Sequence, residues 1–568
     1  MSAGKSTGLK KGSPVMLGFV YAVCLVFGYS LEKDGSIAYL EAKTWLMILI
    51  LGILLSAVLT VIMKQLQKSL LQKNQGREEK QPQGPAGECS LQSGENPAGK
   101  QIPAGCTAFL YAGIIFLCYL IVFLGVYPGF FVYDAQDELM QVITRSFSTH
   151  HPLFHVLLMG GTVQLIHKLT GSYNAGIACY TLLQMAALSL IFGYGIWKLK
   201  TEGLRKRGRI SLLVYFGVFP TIVMFSLCSA KDGLFTGMVL LMVLMLLAFF
   251  RDPAGFFQKK GHCVCLFLSS CLMMLLRNNG FYAFLVFVVL LALLFLKAEW
   301  RPYKKKMLLL CAGAMIAFFV VNKGFAFVLH ADDSENQEIL TVPIQQMARV
   351  YSMEGDTLTE QQKETLFEIL PEKTLKHYNP KVSDPVKADF NNGAYEADKG
   401  KYRKLWADLF REHPFGYLNA WFMTSYGFWY PGAVIDVYRG NTVFTFTYEG
   451  SSYFGYEVEE PGERKSLIPV IDRIYRFLSL DEKAQEIPLL SLVLSPGALF
   501  FVWAFGLCFF WYTGQYRKLW PFLFPVLLFL TVLLGPTYLV RYVVFLWVLL
   551  PQLLWETCRK PETEITGK

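Results

Sequence analysis

Ionisable side chains are concentrated in one short stretch, Tyr127–His155, which follows an apolar run long enough to cross a membrane. They are Asp134, Asp137, Glu138, Arg145, His150 and His151. Charged groups at the end of a membrane span are energetically costly, so they mark a candidate site. Carboxylates and imidazoles in one place can exchange protons with a substrate, which predicts acid–base chemistry here.

The residues between the acidic end and the histidine end of this stretch predict a short amphipathic helix. Leu139, Val142, Ile143 and Phe147 recur at helical spacing, which is typical of a helix that lies on the bilayer surface. Such a helix would bring the acidic and histidine ends over one cavity.

We expect residues 153–169 to form a second interfacial helix rather than a span. If they crossed the membrane, the basic cluster at 198–209 would lie outside, against the positive-inside rule. The pair Gly160 and Gly161 would allow a bend or close packing in this helix.

The composition excludes an ordinary soluble enzyme. Hydrophobic residues make up 54% of the 568 residues and charged residues only 17%, and the mean hydropathy is +0.38. The net charge of +10 could indicate nucleic acid as a partner, but Lys and Arg cluster between apolar runs and are better explained by membrane topology. Most of the 12 cysteines lie in apolar runs without a CxxC pair, so neither a disulfide framework nor a cysteine metal site is predicted.

The predicted fold is an all-α polytopic protein of the plasma membrane with about twelve transmembrane helices and both termini in the cytoplasm. The runs of apolar residues that predict these spans are about 14–31, 45–63, 106–126, 173–197, 211–227, 234–250, 263–276, 281–296, 307–327, 489–511, 522–534 and 539–554.

Changes in composition divide the chain into five parts. Two accessory helices (1–66) precede a disordered cytoplasmic linker (67–105) that is rich in Gln, Gly, Pro and Lys. The membrane core (106–330) contains the outer loop 127–171, and a mixed extracytoplasmic segment follows (331–487). Within that segment 358–370 and 401–414 predict amphipathic helices, whereas the aromatic stretches 426–438 and 442–456 suggest strands or an aromatic shelf. The last part (488–568) holds the C-terminal helices and a cytoplasmic tail.

This topology places three further polar motifs on the same outer face as Asp134 and His151. They are Ser229–Asp232, Arg277–Gly280 and Arg541–Tyr542. Because they meet the first cluster on one side of the membrane, an extracytoplasmic active site is expected.

An Asp in the first outer loop of the core, followed by a surface helix and a His-Pro pair, resembles the GT-C superfamily of integral-membrane glycosyltransferases. Protein O-mannosyltransferases and aminoarabinose transferases belong to that superfamily, and the chain is similar to an uncharacterised bacterial branch with a YPG-x4-D signature. The segments that carry this resemblance are Tyr127–Asp134, His150–Phe154, Ser229–Asp232, Arg277–Tyr282, Pro343–Val350 and Val540–Pro551. The sequence departs from the mannosyltransferase pattern, because the acidic pair there is adjacent and Leu153 replaces the second Pro of the HPP motif.

The resemblance implies transfer of a sugar from a polyprenyl-phosphate carrier to a glycan or lipid acceptor of the cell envelope. Asp134 is then the expected base, with its pKa raised by desolvation, and His151 would orient it or contact the acceptor. Candidates for binding the donor phosphate are Lys231, Arg277, Arg349 and Arg541. Candidates for binding the sugar or acceptor are Asp137, Glu138, Asp232, Asn278, Gln346, Trp429 and Tyr542. No cofactor and no set of metal ligands is assigned. Two alternatives stay open for Asp137 and Glu138, as ligands of a divalent metal or as the base in place of Asp134.

Each of these residues also has a purely structural interpretation. Asp134 could cap the following helix, and Lys231 could pair with Asp232 at a hairpin. Arg541 could reach lipid headgroups, and Trp429 could belong to an aromatic belt.

Two other functions fit the composition. A glycan polymerase or ligase would need two sites for lipid diphosphates, and a lipid or glycan transporter would place charged pairs at the middle of the bilayer.

Overall fold

Apolar helices dominate the computed structural model, which describes residues 3–78, 104–437, 439–440, 445–447, 454–456, 458–459 and 461–559. The first fourteen helices are α1 (Ala3–Asp34), α2 (Ala42–Glu78), α3 (Ala104–Gly125), α4 (Ala135–Thr144), α5 (Leu153–His155), α6 (Gly161–Thr170), α7 (Tyr173–Thr201), α8 (Lys206–Val218), α9 (Pro220–Ser226), α10 (Asp232–Arg251), α11 (Pro253–Gln258), α12 (Lys260–Leu276), α13 (Asn278–Leu294) and α14 (Lys304–Leu329). A π-helical turn, Val156–Gly160, joins α5 to α6, and a 3-10 turn, Arg301–Tyr303, precedes α14.

The segment after α14 has its own small core, built mainly from short helices. Ile344, Leu366, Leu409 and Tyr417 are at its centre. The helices are α15 (Thr341–Glu354), α16 (Glu360–Ile369), α17 (Glu372–Leu375), α18 (Asp384–Lys387), α19 (Asn392–Ala397), α20 (Lys399–Glu412), α21 (Pro414–Met423), α22 (Pro469–Leu480) and α23 (Lys483–Glu486), with 3-10 turns at Asn336–Glu338, Gly355–Thr357 and Tyr426–Phe428. Two antiparallel pairs of short strands also occur, β1 (Arg439–Gly440) with β2 (Thr445–Thr447) and β3 (Phe454–Tyr456) with β4 (Val458–Glu459).

The chain returns to long apolar helices at its C-terminal end. These are α24 (Pro488–Leu494), α25 (Pro496–Tyr512), α26 (Tyr516–Val532) and α27 (Val544–Cys558). A 3-10 turn, Val540–Tyr542, precedes α27, so Arg541 lies before this helix rather than inside the span expected at 539–554.

Six described helices are long and apolar enough to span a membrane, and the number rises to eight if each of two bent pairs is one span. The six lie in α1, α2, α3, α7, α10 and α14, and the bent pairs are α8 with α9 (55°) and α24 with α25 (59°). The protein is therefore an α-helical membrane protein. The other four expected spans coincide with α12, α13, α26 and α27, which have 15 or 17 residues. Since about 20 residues cross a bilayer, the count of twelve stays a prediction.

The first helix packs into the core, in contrast to the accessory role expected for residues 1–66. The Tyr21 ring stacks on Phe501 of α25 with centroids 4.1 Å apart. At the other end of α1, Glu32 Oε2 accepts hydrogen bonds from the Tyr426 hydroxyl (2.8 Å) and the Val434 amide (3.1 Å). This helix therefore contributes to the same folded unit as the C-terminal helices.

Three sequence expectations need correction or fall outside the described residues. Because α2 continues to Glu78, the linker does not begin at residue 67, and residues 79–103 lie outside the described chain. The stretch 426–437 forms a 3-10 turn and irregular backbone instead of a strand. Of 442–456, only β2 and β3 are described as strands.

The loops that hold the candidate site are tied together by backbone hydrogen bonds. The Phe130 amide donates to the Leu227 carbonyl (3.0 Å), and the Ser229 amide donates back to Phe130 (2.8 Å). Gly160 lies so close to α4 that a Cβ there would be 2.8 Å from Val142 Cγ2 and 3.1 Å from the Glu138 carbonyl oxygen. The close packing expected of the glycine pair is thus confirmed for Gly160.

We expect Glu32→Ala to destabilise the protein by about 1–3 kcal/mol, because it leaves the buried Tyr426 hydroxyl and the Val434 amide without their acceptor. The thermal unfolding midpoint in detergent should fall. The matched control is Glu364→Ala on the exposed face of α16, which should change the midpoint little. Equal midpoints for the two variants would contradict an anchoring role for Glu32.

Candidate functional site

Asp134 lies between basic side chains from two distant segments. Arg541 donates to both carboxylate oxygens, with Nη2 2.6 Å from Oδ2 and Nη1 3.2 Å from Oδ1. Lys231 donates a hydrogen bond to Oδ2, and His151 Nδ1 lies 3.8 Å from the same oxygen. The Asp134 side chain remains 24% exposed, so a ligand can reach it.

The backbone before Asp134 adopts a special conformation that helps to form this arrangement. Tyr133 has φ +61°, in the left-handed region that residues other than glycine seldom adopt. The Arg541 guanidinium carbon lies 4.5 Å from the centre of the Tyr133 ring. This cation–π contact adds to the two hydrogen bonds that orient Arg541.

A second, fully buried carboxylate belongs to Asp232, which is only 1% exposed. It accepts a hydrogen bond from Arg277, and its Oδ2 lies 3.0 Å from Arg541 Nε. Arg541 therefore bridges Asp134 and Asp232. Arg277 in turn lies over the Tyr542 ring, 4.8 Å from its centre.

Glu138 begins a buried chain of polar contacts that leads away from Lys231. One of its oxygens is 3.4 Å from Lys231 Nζ, and the other contacts His155 Nδ1. His155 Nε2 is 2.8 Å from the Tyr180 hydroxyl, which donates to Gln184 Oε1 at 3.1 Å. The polar groups from Lys231 to Gln184 are therefore linked in one continuous chain of contacts.

The electrostatic environment differs among the ionisable groups. Burial raises the pKa of Asp134, but Arg541, Lys231 and His151 outweigh it and hold that pKa well below its usual range. The expectation of a raised Asp134 pKa is therefore wrong. Burial, with a smaller effect of Lys231, lowers the pKa of His151 to about 4, so its imidazole is neutral at pH 7. Partial removal from water and the Asp134 carboxylate raise the pKa of Asp137.

Ligand atoms of Asp134, Glu138 and His151 lie within 4.8 Å of one another, a spacing that a metal ion could use. However, the Lys231 ammonium contacts both carboxylates at this position. Three basic side chains, Lys231, Arg277 and Arg541, face three carboxylates, Asp134, Glu138 and Asp232. An anionic ligand would bind here by competing with these carboxylates for the basic side chains.

A cavity of about 300 Å³ lies beside this cluster. Its volume is at the lower end of the range for ligand pockets, roughly 300–1,000 Å³. The lining residues come from separate loops and helix ends: His150, Pro152, Lys231, Arg277, Asn278, Asn279, Glu338, Thr531, Val532, Leu534, Gly535, Pro536 and Tyr542. Two basic side chains of the ion-pair cluster therefore open onto this cavity.

The structure brings most of the predicted site residues together but leaves three elsewhere. Arg349 donates to the Gly35 carbonyl at 2.8 Å, in the contact between α15 and the end of α1. Gln346 accepts from Trp406 Nε1 at 2.9 Å within the small core. Trp429 lines an apolar cavity rather than the polar one. Asp137 lies on the exposed side of α4, next to the cluster.

The contacts also decide between the alternative interpretations. Asp134 precedes α4 but makes no side-chain capping hydrogen bond, because Arg541 and Lys231 occupy its oxygens. Lys231 and Asp232 pair with different partners rather than with each other. Arg541 is only 6% exposed and does not extend toward lipid headgroups.

Sequence reasoning missed several residues of the site, among them His155, Tyr180 and Asn279. His155 and Tyr180 lie within apolar segments, where a polar side chain is a signal of an internal contact. Asn279 was visible only as part of the Arg277–Gly280 motif. The partner of Asn279 is 252 positions away in the chain, and the contacts of His155 join segments that are 17 and 25 positions apart, so spacing alone does not identify them.

Comparison with known proteins identifies a family but no activity. A family model described as "Family of unknown function (DUF6020)" matches residues 139–566. The chain belongs to this family. The matched part of the DUF6020 protein contains Lys231, Arg277 and Arg541, whereas Asp134 and Glu138 precede it. No curated protein and no solved structure matches the chain.

Replacing Arg541 with Ala should destabilise the protein by about 3–5 kcal/mol, since it leaves the buried Asp232 and the paired Asp134 with fewer counter-charges. The unfolding midpoint and the folded yield should both fall. A second replacement, Asp134→Ala, should restore part of this loss because it removes the stranded charge. The matched control is Arg517→Ala, which breaks an exposed pair with Glu299 and should cost less than about 1 kcal/mol.

Acid should destabilise the wild type between pH 6.5 and about 4 because of His151. Its folded pKa, about 4, is below the ordinary value of 6.5, so the unfolded chain binds the additional proton in this window. Stability then falls as the pH falls, by roughly 1.4 kcal/mol per pH unit. His151→Asn should weaken this dependence, measured as unfolding midpoints at pH 7.0 and 4.5, whereas His330→Asn at an exposed position should not. An unchanged slope in His151→Asn would contradict the assignment.

Proposed function

We propose that this protein is a membrane glycosyltransferase that moves a sugar from a polyprenyl-phosphate donor to a glycan or lipid acceptor of the cell envelope. The observation that carries the proposal is the meeting of Asp134, Lys231, Arg277 and Arg541 beside one cavity. One carboxylate and several cations are the groups that such a transfer requires. The resemblance to GT-C enzymes supplies the reaction class, and the site supplies its residues.

The cationic side of the cavity supports a phosphate-bearing donor. Lys231 and Arg277 line it, and Tyr542 holds Arg277 by a cation–π contact at 4.8 Å. Arg presents a planar array of donors that matches phosphate oxygens. Lys231 can also approach the donor without losing all its carboxylate partners, because Glu138 Oε1 remains 3.4 Å from its ammonium group.

An apolar cavity supports the lipid part of the donor. It has a volume of about 400 Å³ and lies on a different face of the α26 end from the polar cavity. Leu530 and Leu533 border the apolar cavity, and Val532 and Leu534 border the polar one. Hydrocarbon buried there would be stabilised by about 25 cal/mol per Å² of apolar surface.

We assign the base to Asp134. In the proposed step Asp134 removes the proton of the acceptor hydroxyl, whose oxygen forms a bond to the anomeric carbon of the sugar. The bond from that carbon to the phosphate oxygen breaks, and the phosphate leaves with the electron pair. Donor phosphate that draws Lys231 away from Asp134 would remove one of the two hydrogen bonds on Oδ2 and make this oxygen a better proton acceptor.

The placement of the charges disfavours the transporter alternative. Asp232 begins α10, and Arg277 and Arg541 immediately precede α13 and α27. A transporter would place its functional charges along the middle of spanning helices. Charges at helix ends suit a reaction at the membrane boundary.

The decisive experiment is transfer of radiolabelled sugar from synthetic polyprenyl-phosphate donors by purified protein in liposomes. Wild type should show transfer, and Asp134→Asn should lose about 100-fold or more, the usual contribution of a general base. The matched control is Asp408→Asn, a partly exposed position of α20 outside the cavity, which should remain within about twofold of wild type. The variants are compared at equal folded yield.

Two outcomes count against the proposal in different ways. Equal activity of wild type and Asp134→Asn would remove Asp134 from the chemistry and direct attention to Asp137 and Glu138. Absence of transfer by wild type with every donor would contradict the glycosyltransferase itself.

A further inference from the structure

Lys231 is held at both its side chain and its backbone. Its Nζ lies 3.4 Å from Glu138 Oε1. The backbone that leads to Lys231 is held from another direction, because Gln184 Nε2 donates to the carbonyl oxygens of Ser226 (3.1 Å) and Cys228 (2.6 Å). Glu138 lies in α4 and Gln184 in α7, so two separate helices fix the position of this lysine.

His155 and Tyr180 join these two anchors into a closed ring of polar contacts. His155 Nδ1 contacts Glu138 Oε2. His155 Nε2 is 2.8 Å from the Tyr180 hydroxyl, which donates to Gln184 Oε1 at 3.1 Å. The ring starts at the Lys231 ammonium group and returns to the backbone just before Lys231. His155 is the member that joins the carboxylate to the rest of the ring.

Burial makes each contact of this ring costly to lose. Glu138 and His155 are fully buried, and Tyr180 and Gln184 are almost fully buried. Water cannot replace a lost partner at such positions, so each polar group depends on its neighbours. Burial raises the pKa of Glu138, but His155 and Lys231 outweigh it and hold that pKa below its ordinary value. Glu138 is therefore a carboxylate at pH 7 and accepts hydrogen bonds from both neighbours.

The position of Lys231 matters for binding because this residue lines the polar cavity. A lysine side chain has several rotatable bonds, and ordering it when a ligand arrives costs affinity. Glu138, held by His155, keeps the ammonium group in one position beforehand. Without His155 the buried carboxylate would pair more strongly with Lys231 and would compete with the ligand for it.

We propose that His155 is a positioning residue for anion binding: through Glu138 it fixes the Lys231 ammonium group at the cavity, where that group binds a phosphate diester. This inference rests on the proposed function, in which Lys231 binds the donor phosphate, and it adds a residue that touches neither donor nor acceptor. His155 has no exposed surface, so it acts on a ligand only through its neighbours.

The test is equilibrium binding of two probes to the full-length protein in detergent. Farnesyl methyl phosphate carries one negative charge, and farnesyl dimethyl phosphate is its neutral analogue, so the ratio of their dissociation constants reports recognition of the charge. Wild type should bind the charged probe about 10-fold or more tightly than the neutral one. His155→Phe keeps an aromatic ring but loses both nitrogen contacts, and it should reduce this preference about 3- to 10-fold.

A conservative variant and a double-mutant cycle separate positioning from general damage to the fold. His155→Asn places an amide near the Nδ1 position, keeps a donor for Glu138 and should retain the preference within about twofold of wild type. In a Lys231→Met background His155→Phe should have no further effect on the preference, because the lysine through which it acts is absent. The matched control is His413→Phe, which breaks a similar pair with Glu354 (2.6 Å) outside the cavity and should leave the preference unchanged.

The outcomes separate this inference from the proposed function. An unchanged preference in folded His155→Phe, or an equal loss of affinity for both probes, would contradict the positioning role and leave the phosphate site intact. Equal binding of both probes by wild type would contradict the phosphate site and with it the proposed function. If His155→Phe does not fold, Tyr180→Phe removes the next hydroxyl group of the ring and decides the matter. A reduced preference in that variant supports the positioning role, and an unchanged one refutes it.

Discussion

The ion pairs around Asp134 connect segments that are separated by hundreds of residues. Lys231 reaches it from the turn before α10, and Arg541 from the turn before α27. Buried charges are expensive to remove from water, and they are tolerated only where each is paired. The N-terminal ends of these helices must therefore meet in one arrangement, because any other leaves a charge unpaired. The cavity adjoins this network, since Lys231 and Arg277 line it.

The network also explains why the site combines rigidity with access. Glu138, His155 and Tyr180 form its buried side and are fully or almost fully removed from water. Asp134 retains 24% exposure on the other side. A ligand anion can compete for Lys231 at the open side while Glu138 keeps the ammonium group in place. The buried residues hold the cluster in position, and the exposed Asp134 is available to a ligand.

The sequence was sufficient for the membrane class, the amphipathic helix α4 and the grouping of Asp134, Lys231, Arg277 and Arg541. These features follow from hydropathy, helical periodicity and the side of the membrane on which each motif lies. Arg349 and the pKa of Asp134 were not predictable in this way. Arg349 is used to hold the end of α1, a contact between residues more than 300 positions apart. The pKa depends on which of two opposing effects is larger, burial or neighbouring cations, and that balance is set by distances of a few ångströms.

The lowered pKa of Asp134 is compatible with its proposed role as a base, because Lys231, one of the cations that lower it, also lines the cavity proposed for the donor phosphate. A free site with Asp134 fully paired is a poor proton acceptor, so a bound acceptor alone is not activated. In the proposed reaction, donor phosphate would compete for Lys231, and Oδ2 of Asp134, which keeps its hydrogen bond from Arg541, would then become a stronger acceptor. Coupling of this kind would make proton removal depend on the presence of the donor. Because Lys231 links Asp134 to the cavity, the ion pairs would affect the order of the proposed reaction steps as well as the stability of the fold.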